Sequence, residues 1–313
     1  MLLSRVADAL YWAGRYIERA DDTARLVWGF TEGIVDMPVS VVSSWEPLLA
    51  TTGTQDPFRA KYGSDVSERS IVSFLLADAE NPGCVLQSIV HARENLRSCR
   101  DVIPQFAWTV LNDLSMYATA NQADGIARQG RARFVERIRR DVERVHGIVN
   151  TTMIRDAAYN FWMLGQWLER ADMTTRVLGV QAAELVDAAH AASRASIVAE
   201  HVEVQWMTVL RSVSGRQMYQ RATREPINGL AVLDFLLHSK AFPRSVQFCV
   251  DAMEEHLDWL PRSSEVRPVL GAVRTDLSRP VVDVSDGTAL DASMDRIQVA
   301  LAQLGRQIIT TYC

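Results

Sequence analysis

Glu18, Arg19, Asp21 and Arg25 stand in the stretch GRYIERADDTAR (14–25), and Glu169, Arg170, Asp172 and Arg176 stand at the same spacing in GQWLERADMTTR (165–176). Two carboxylates and two guanidinium groups written twice could form a symmetric polar pocket suited to acyl transfer or amide formation. With further ligands, such carboxylates could hold a metal. They could also neutralise one another as an ion-pair network that fixes one packing arrangement. Asp21 with Arg25, and Asp172 with Arg176, are favourable i,i+4 pairs on a helix.

The spacing decides which face carries these groups. At about 100° per residue, Val6, Ala13, Ile17, Ala20, Ala24 and Val27 form one apolar stripe. Gly14, Glu18, Asp21 and Arg25 run along its edge. Phe161, Leu164, Leu168, Ala171, Thr175 and Leu178 form the second apolar stripe, edged by Gly165, Glu169, Asp172 and Arg176. Arg15 and Asp22 become Gln166 and Met173 in the second copy, so the repeated edge alone, with the ER arginines, is the candidate site. The glycine at its head lets a neighbouring helix or a ligand approach closely.

The elements that must position this edge are helices. Apolar residues recur at three- and four-residue spacing along the chain, and short alternating β-type runs are nearly absent. The fold class is therefore all-α. Breaks fall at 36–40, 52–58, 79–83, 121–125, 224–229, 241–245 and 278–288, each expected to separate two helices. Pro82 and Pro243 are expected in the first turns of long helices. FLLADAENPGCVLQSIVHARENL (74–96) aligns without gaps to FLLHSKAFPRSVQFCVDAMEEHL (235–257), and WEPLL (45–49) matches WMTVL (206–210) at the same offset. The chain reads as a duplicated helical bundle with an internal pseudo-twofold repeat, residues 1–150 and 151–313, forming a single compact body in which the two ER helices pack together.

Composition excludes several function classes. A net charge of −5 argues against binding nucleic acid through its phosphates. Cys84, Cys99, Cys249 and Cys313 show no metal or disulfide spacing, which points to a reducing cytoplasm. No segment reads as a signal peptide or membrane span. No glycine-rich phosphate loop is present, so no nucleotide cofactor is expected in this chain. A di-iron bundle needs two Glu-x-x-His pairs and two more glutamates. Glu143 with His146 has that spacing and Asp187 with His190 is a poor second, so no metal is expected and the six histidines read as surface or helix-end residues. Cys84 aligns with Ser245 and Cys249 with Ser88, with no recurring histidine beside them, so neither is read as a nucleophile.

The paired ER motif, Glu18–Arg19 and Glu169–Arg170, each with an upstream glycine and downstream threonine and arginine, resembles the bacterial alpha-E family over essentially the whole chain. HARENLRSCRD (91–101) resembles the family's text as well. The resemblance implies an α-helical domain whose genes lie beside, or are fused to, circularly permuted ATP-grasp ligases and transglutaminase-like cysteine peptidases. It thereby implies a part in making or remodelling an amide-linked product, and it supplies no catalytic residues.

One contrast between the aligned helices bears on partners. Arg93, Arg97 and Arg100 flank the apolar seam after Pro82, whereas Asp251, Glu254 and Asp258 flank the one after Pro243. The basic flank is a candidate contact for an acidic partner, substrate or the opposing repeat, since arginine holds carboxylates in bidentate fashion. The expectation is an accessory, interaction-mediating protein of an ATP-grasp amide-ligase system, without catalytic activity of its own. The alternatives are an enzyme using the repeated Glu/Arg/Asp set and, third, a carboxylate-lined metal-binding bundle.

Overall fold

The chain begins with α1 (Ser4–Val35), a long helix whose apolar face is buried on several sides by the elements that follow. A computed structural model describes residues 2–35, 44–182, 197–279 and 287–313. Among them are fourteen α-helices and no strands. After α1 come α2 (Glu46–Thr52), α3 (Gln55–Tyr62), α4 (Glu68–Leu76), α5 (Val85–Arg97), α6 (Gln105–Ile126) and α7 (Arg128–Thr152). A short turn leads to α8 (Ala157–Val177), which starts where the Asp156 carboxylate accepts a hydrogen bond from the Tyr159 N–H at 3.2 Å. Then follow α9 (Ile197–Ser212), α10 (Arg216–Thr223), α11 (Gly229–His238), α12 (Val246–Asp258), α13 (Arg267–Ser278) and α14 (Gly287–Tyr312). No described helix is long and apolar enough to cross a membrane.

α1 and α8 form the central pair, and glycine is what lets them meet. A Cβ added at Gly14 would overlap the Trp162 carbonyl oxygen, and one added at Gly165 would overlap the Tyr11 carbonyl oxygen. The two backbones therefore touch reciprocally, each through the other's glycine. Contacts advance together along both helices, from Tyr11 against Gly165 to Glu18 against Arg170, so the pair runs in one direction. α5 packs on α1 and α12 on α8, while α7 and α9 close further sides of α1 and α14 covers α8. Tyr11, Ile17, Trp162 and Leu168 lie in the continuous apolar core this produces. The two ER helices thus pack against each other as the repeated glycine and stripe predict.

Three local expectations need correction. Pro82 and Pro243 lie two residues before the N-caps of α5 and α12, outside the first turn. The caps are Cys84, whose sulfur accepts from the Gln87 N–H, and Ser245, whose hydroxyl accepts from the Phe248 N–H at 3.1 Å. This accounts for cysteine aligning with serine. Residues 121–125 kink one helix without dividing it: Asn121 leaves helical geometry inside α6, and its side-chain amide donates to the Tyr117 carbonyl at 2.8 Å. The break at 36–40 and the Asp187–His190 pair lie outside the described residues.

Since the added Cβ would meet backbone and not a movable side chain, Gly14→Ala and Gly165→Ala should each destabilise the protein by about 1–3 kcal/mol, the usual cost of overpacking. Urea unfolding of both variants checks this. Unchanged midpoints would mean the helices do not cross at these glycines.

Candidate functional site

Each ER glutamate is held by the arginine of the other ER motif. Arg170 donates to Glu18 through Nε at 2.6 Å and Nη2 at 2.8 Å, and Arg19 donates to Glu169 through Nε at 2.5 Å and Nη2 at 3.0 Å. These two bidentate bridges cross the α1–α8 interface beside the glycine contact. Glu18 is fully buried and Glu169 nearly so. Burial alone would raise both carboxyl pKa values, but the guanidinium groups win. Arg170 and Arg244 hold Glu18 well below the usual carboxylate range, and Arg19 and Arg15 lower Glu169 to about 2.

Beyond the bridges the two stripes diverge. On α1, Asp21 accepts from Arg25 Nε at 2.6 Å, and Arg25 continues to Glu143 at 2.8 Å and to the Ser214 hydroxyl. Arg244, from the turn before α12, enters this cluster with its guanidinium on Asp22 at 2.5 Å, Asp21 at 2.9 Å and Glu18 at 3.3 Å. Oxygens of Glu18, Asp21 and Asp22 lie within 4.8 Å of one another, a spacing that could ligate a metal ion. Arg244 forms ion pairs with all three and supplies the positive charge that a metal would bring. His146 lies with its Nε2 3.7 Å from Glu18, and burial lowers its pKa to about 4, which keeps it neutral at pH 7. Burial pushes Asp22 up to about 8 against the pull of Arg244, and the carboxylates of Glu18 and Asp21 add to the rise.

On α8 the corresponding stripe is less closed. Glu169 takes a second cation from Arg15, whose Nε donates at 2.7 Å. Asp172 accepts from Arg176 Nε at 2.8 Å, and both side chains reach solvent. A cleft of about 130 Å³ opens here, lined by Arg19, Thr23, Thr52, Thr54, Gly83, Glu169, Asp172, Met173 and Arg176. A neighbouring cleft of about 350 Å³ shares Asp172 and Arg176 and adds an apolar wall including Trp12, Leu168, Leu301 and Ile309.

The eight candidate residues are thus brought together, but as two unequal clusters and not as one symmetric pocket. Sequence reasoning missed Arg15, Asp22, Arg244 and His146. Arg15 and Asp22 fell out because they do not recur, and His146, read as a surface or helix-end residue, is largely buried. His256 is another exception, bonded through Nδ1 to Asn160 at 2.8 Å and lowered by burial to about 4. Glu143 and His146 both face the α1 cluster. Burial raises the Cys84 thiol to about 11 and the Cys249 thiol to about 12, so neither is a thiolate nucleophile at neutral pH.

Arg93, Arg97 and Arg100 lie away from these clusters. Arg93 donates to Asn112 at 2.9 Å and pairs with Glu94, Arg97 pairs with Glu94 at 2.8 Å, and Arg100 stacks over Trp108. The acidic flank of α12 meets arginines of its own chain: Arg274 bridges Asp251 and Glu254, and Arg267 pairs with Asp258. The basic flank of α5 shares one carboxylate, Glu94, between Arg93 and Arg97, and Arg97 and Arg100 are exposed.

The chain belongs to the Alpha-E family, described as a predicted alpha-helical domain with a conserved ER motif, which matches residues 2–313. It is similar to uncharacterised proteins of Mycobacterium bovis and Mycobacterium tuberculosis, 23% identical over 324 residues covering 96% of this chain. Those proteins are much longer, and the chain spans 34% of their length. No solved structure matches it.

Two measurements probe the α1 cluster. Glu18→Ala should cost about 3–5 kcal/mol in chemical denaturation, because Arg170 and Arg244 would be left buried without their shared carboxylate. A cost near zero would mean that water reaches the site. Asp22 binds its proton more tightly folded than unfolded, where an aspartate titrates near about 4. Its contribution to stability is therefore lost as pH rises from there through about 8. Asp22→Asn should gain on the wild type as pH is raised through that range, and a constant stability difference would contradict the raised value.

Proposed function

We propose that this chain is an accessory, interaction-mediating module of an ATP-grasp amide-ligase system, acting in the cytoplasm without ATPase or ligase activity of its own. The observation that carries this reading is the length relationship. The whole chain matches only about a third of its mycobacterial relatives, so the module there is joined to a much larger body of sequence. Family resemblance supplies the nature of the partner, a circularly permuted ATP-grasp ligase with a transglutaminase-like peptidase as a further associate.

The chemistry of the site agrees with this. The ER glutamates, which an acid–base mechanism would need free, each accept bidentate bonds from an arginine across the helix interface. A carboxylate held low by two guanidinium groups is a poor proton acceptor at neutral pH. The buried thiols that align with serines are N-cap or core groups.

The basic flank of α5 is the proposed contact. Arg97 and Arg100 point outward and Arg93 lies beside them, and complementary charge there would govern encounter more than residence. Replacing Arg93, Arg97 and Arg100 together by glutamate should slow association with the neighbouring ligase by about tenfold or more while thermal melting stays near wild type. Added salt should slow wild-type association more than it speeds dissociation. Failure of the wild-type chain to capture the ligase, or ATP hydrolysis by the isolated chain, would overturn the accessory reading.

A further inference from the structure

The cleft beside Asp172 and Arg176 sits where the α1 cluster places its own internal partners. In the alignment at offset 161, Gly83 stands at the position of Arg244 and Gly53 at that of Ser214, while in the ER motif Met173 stands for Asp22. The geometry follows this correspondence. Thr174, the motif threonine of α8, donates to the Arg244 carbonyl at 3.0 Å. Thr23, its counterpart on α1, lines the cleft together with Gly83. Gly53 and Ser214 both adopt left-handed backbone, φ 66° and 52°. Ser214 bonds Arg25, and Gly53 lies against the Arg176 guanidinium with no side chain to offer.

On α1 the Asp21–Arg25 pair is bracketed by a cation and an anion: Arg244 sits on Asp21, and the Glu143 carboxylate sits on Arg25 Nη2 at 2.8 Å. On α8 the Asp172–Arg176 pair has neither. Among the described residues, the side chains of Asp172 and Arg176 bond only each other. Thr23 is 1% exposed and its hydroxyl makes no hydrogen bond among the described residues, yet it lines the cleft. A hydroxyl on a cleft wall without a protein partner takes one from a ligand or solvent. A volume of about 130 Å³ has room for a small molecule and not only for one or two waters.

The geometry points to a binding site for a zwitterion of the α-amino acid type, free or at the end of a short peptide. Its ammonium group takes the place that Arg244 holds on α1, between Glu169 and Asp172. Its carboxylate takes the place of Glu143, on the free nitrogens of Arg176. A simple cation is disfavoured because Arg15, Arg19 and Arg176 outnumber Glu169 and Asp172 around the cleft, and a simple anion leaves the ammonium position unfilled. The adjoining 350 Å³ cleft, with Trp12, Leu168, Leu301 and Ile309 on its wall, receives an apolar side chain or second residue. This inference names the substrate class of the amide-ligase system and rests on that reading only for the use to which the ligand is put.

Gly83 provides the test. It has no left-handed φ, and an added Cβ meets only the Asn81 side chain at an ordinary 3.4 Å. Gly83→Arg should therefore fold and fill the cleft as Arg244 fills its counterpart, whereas Gly83→Ala should leave it open. Titration calorimetry of the full chain with apolar α-amino acids and dipeptides at up to millimolar concentration should show binding to wild type and Gly83→Ala and none to Gly83→Arg. Thr23→Val and Asp172→Asn should each weaken binding by about tenfold, which decides the matter if Gly83→Arg fails to fold. The matching carboxylic acids, alkylammonium ions and guanidinium should bind at least about tenfold more weakly than the zwitterion. Absence of amino-acid binding, equal binding of a simple carboxylate or cation, or binding that survives in folded Gly83→Arg would overturn the proposal. Ligase capture by wild type without amino-acid binding overturns the cleft alone, and amino-acid binding without ligase capture supports the cleft and overturns the accessory reading.

Discussion

A carboxylate taken out of water stays ionised only if positive charge is buried with it, and here each ER glutamate draws that charge from the opposite helix. Arg170 reaches Glu18 and Arg19 reaches Glu169. Neither bridge can form unless α1 and α8 lie close enough for backbone contact, which Gly14 and Gly165 permit. Glycine, glutamate and arginine of the motif therefore express one constraint: two helices crossing at a fixed point and register. Sliding one helix along the other by a turn would leave both buried carboxylates without the arginines that hold them. Such a crossing is specified more by the penalty of misplacing it than by any net gain from the ion pairs.

With the crossing fixed, the surrounding residues give the two stripes different fates. Arg244, Glu143 and Ser214 close the α1 cluster, and burial pushes the Asp22 carboxyl up. At the corresponding places on the α8 side stand Gly83, Gly53 and Met173, and a cleft remains. A repeated motif need not mean a repeated function. One copy holds internal partners in the positions that the other leaves to solvent or ligand.

Much of the crossing was legible in sequence because its determinants are local. Spacings of four, three and four place glycine, glutamate, aspartate and arginine on one helix edge wherever the helix packs, and the Asp–Arg pairs form within a single turn. The other partners were hidden by distance along the chain: Asp22 meets Arg244 at a separation of 222 residues. Retention between copies was also a misleading filter. It kept the shared crossing and discarded Arg15 and Asp22, two of the residues that make the clusters differ. The signal that could have found Arg244 was the exchange of glycine for arginine directly after the shared proline, Pro-Gly at 82–83 against Pro-Arg at 243–244. Kinks and caps were misplaced for another reason. Asn121 and Cys84 satisfy backbone groups with their own side chains, which shifts where a helix bends or begins.

The exchange of charge between the ER motifs is tested most directly by a double-mutant cycle between Glu18 and Arg170, using Glu18→Gln, Arg170→Met and the double variant in chemical denaturation. If the two side chains are mutual buried partners, the cycle should return a coupling of about 2 kcal/mol or more, with the double variant less destabilised than the sum of the singles. Effects that add to within about 0.5 kcal/mol would show that the glutamate and arginine act independently, and would contradict the account of the crossing.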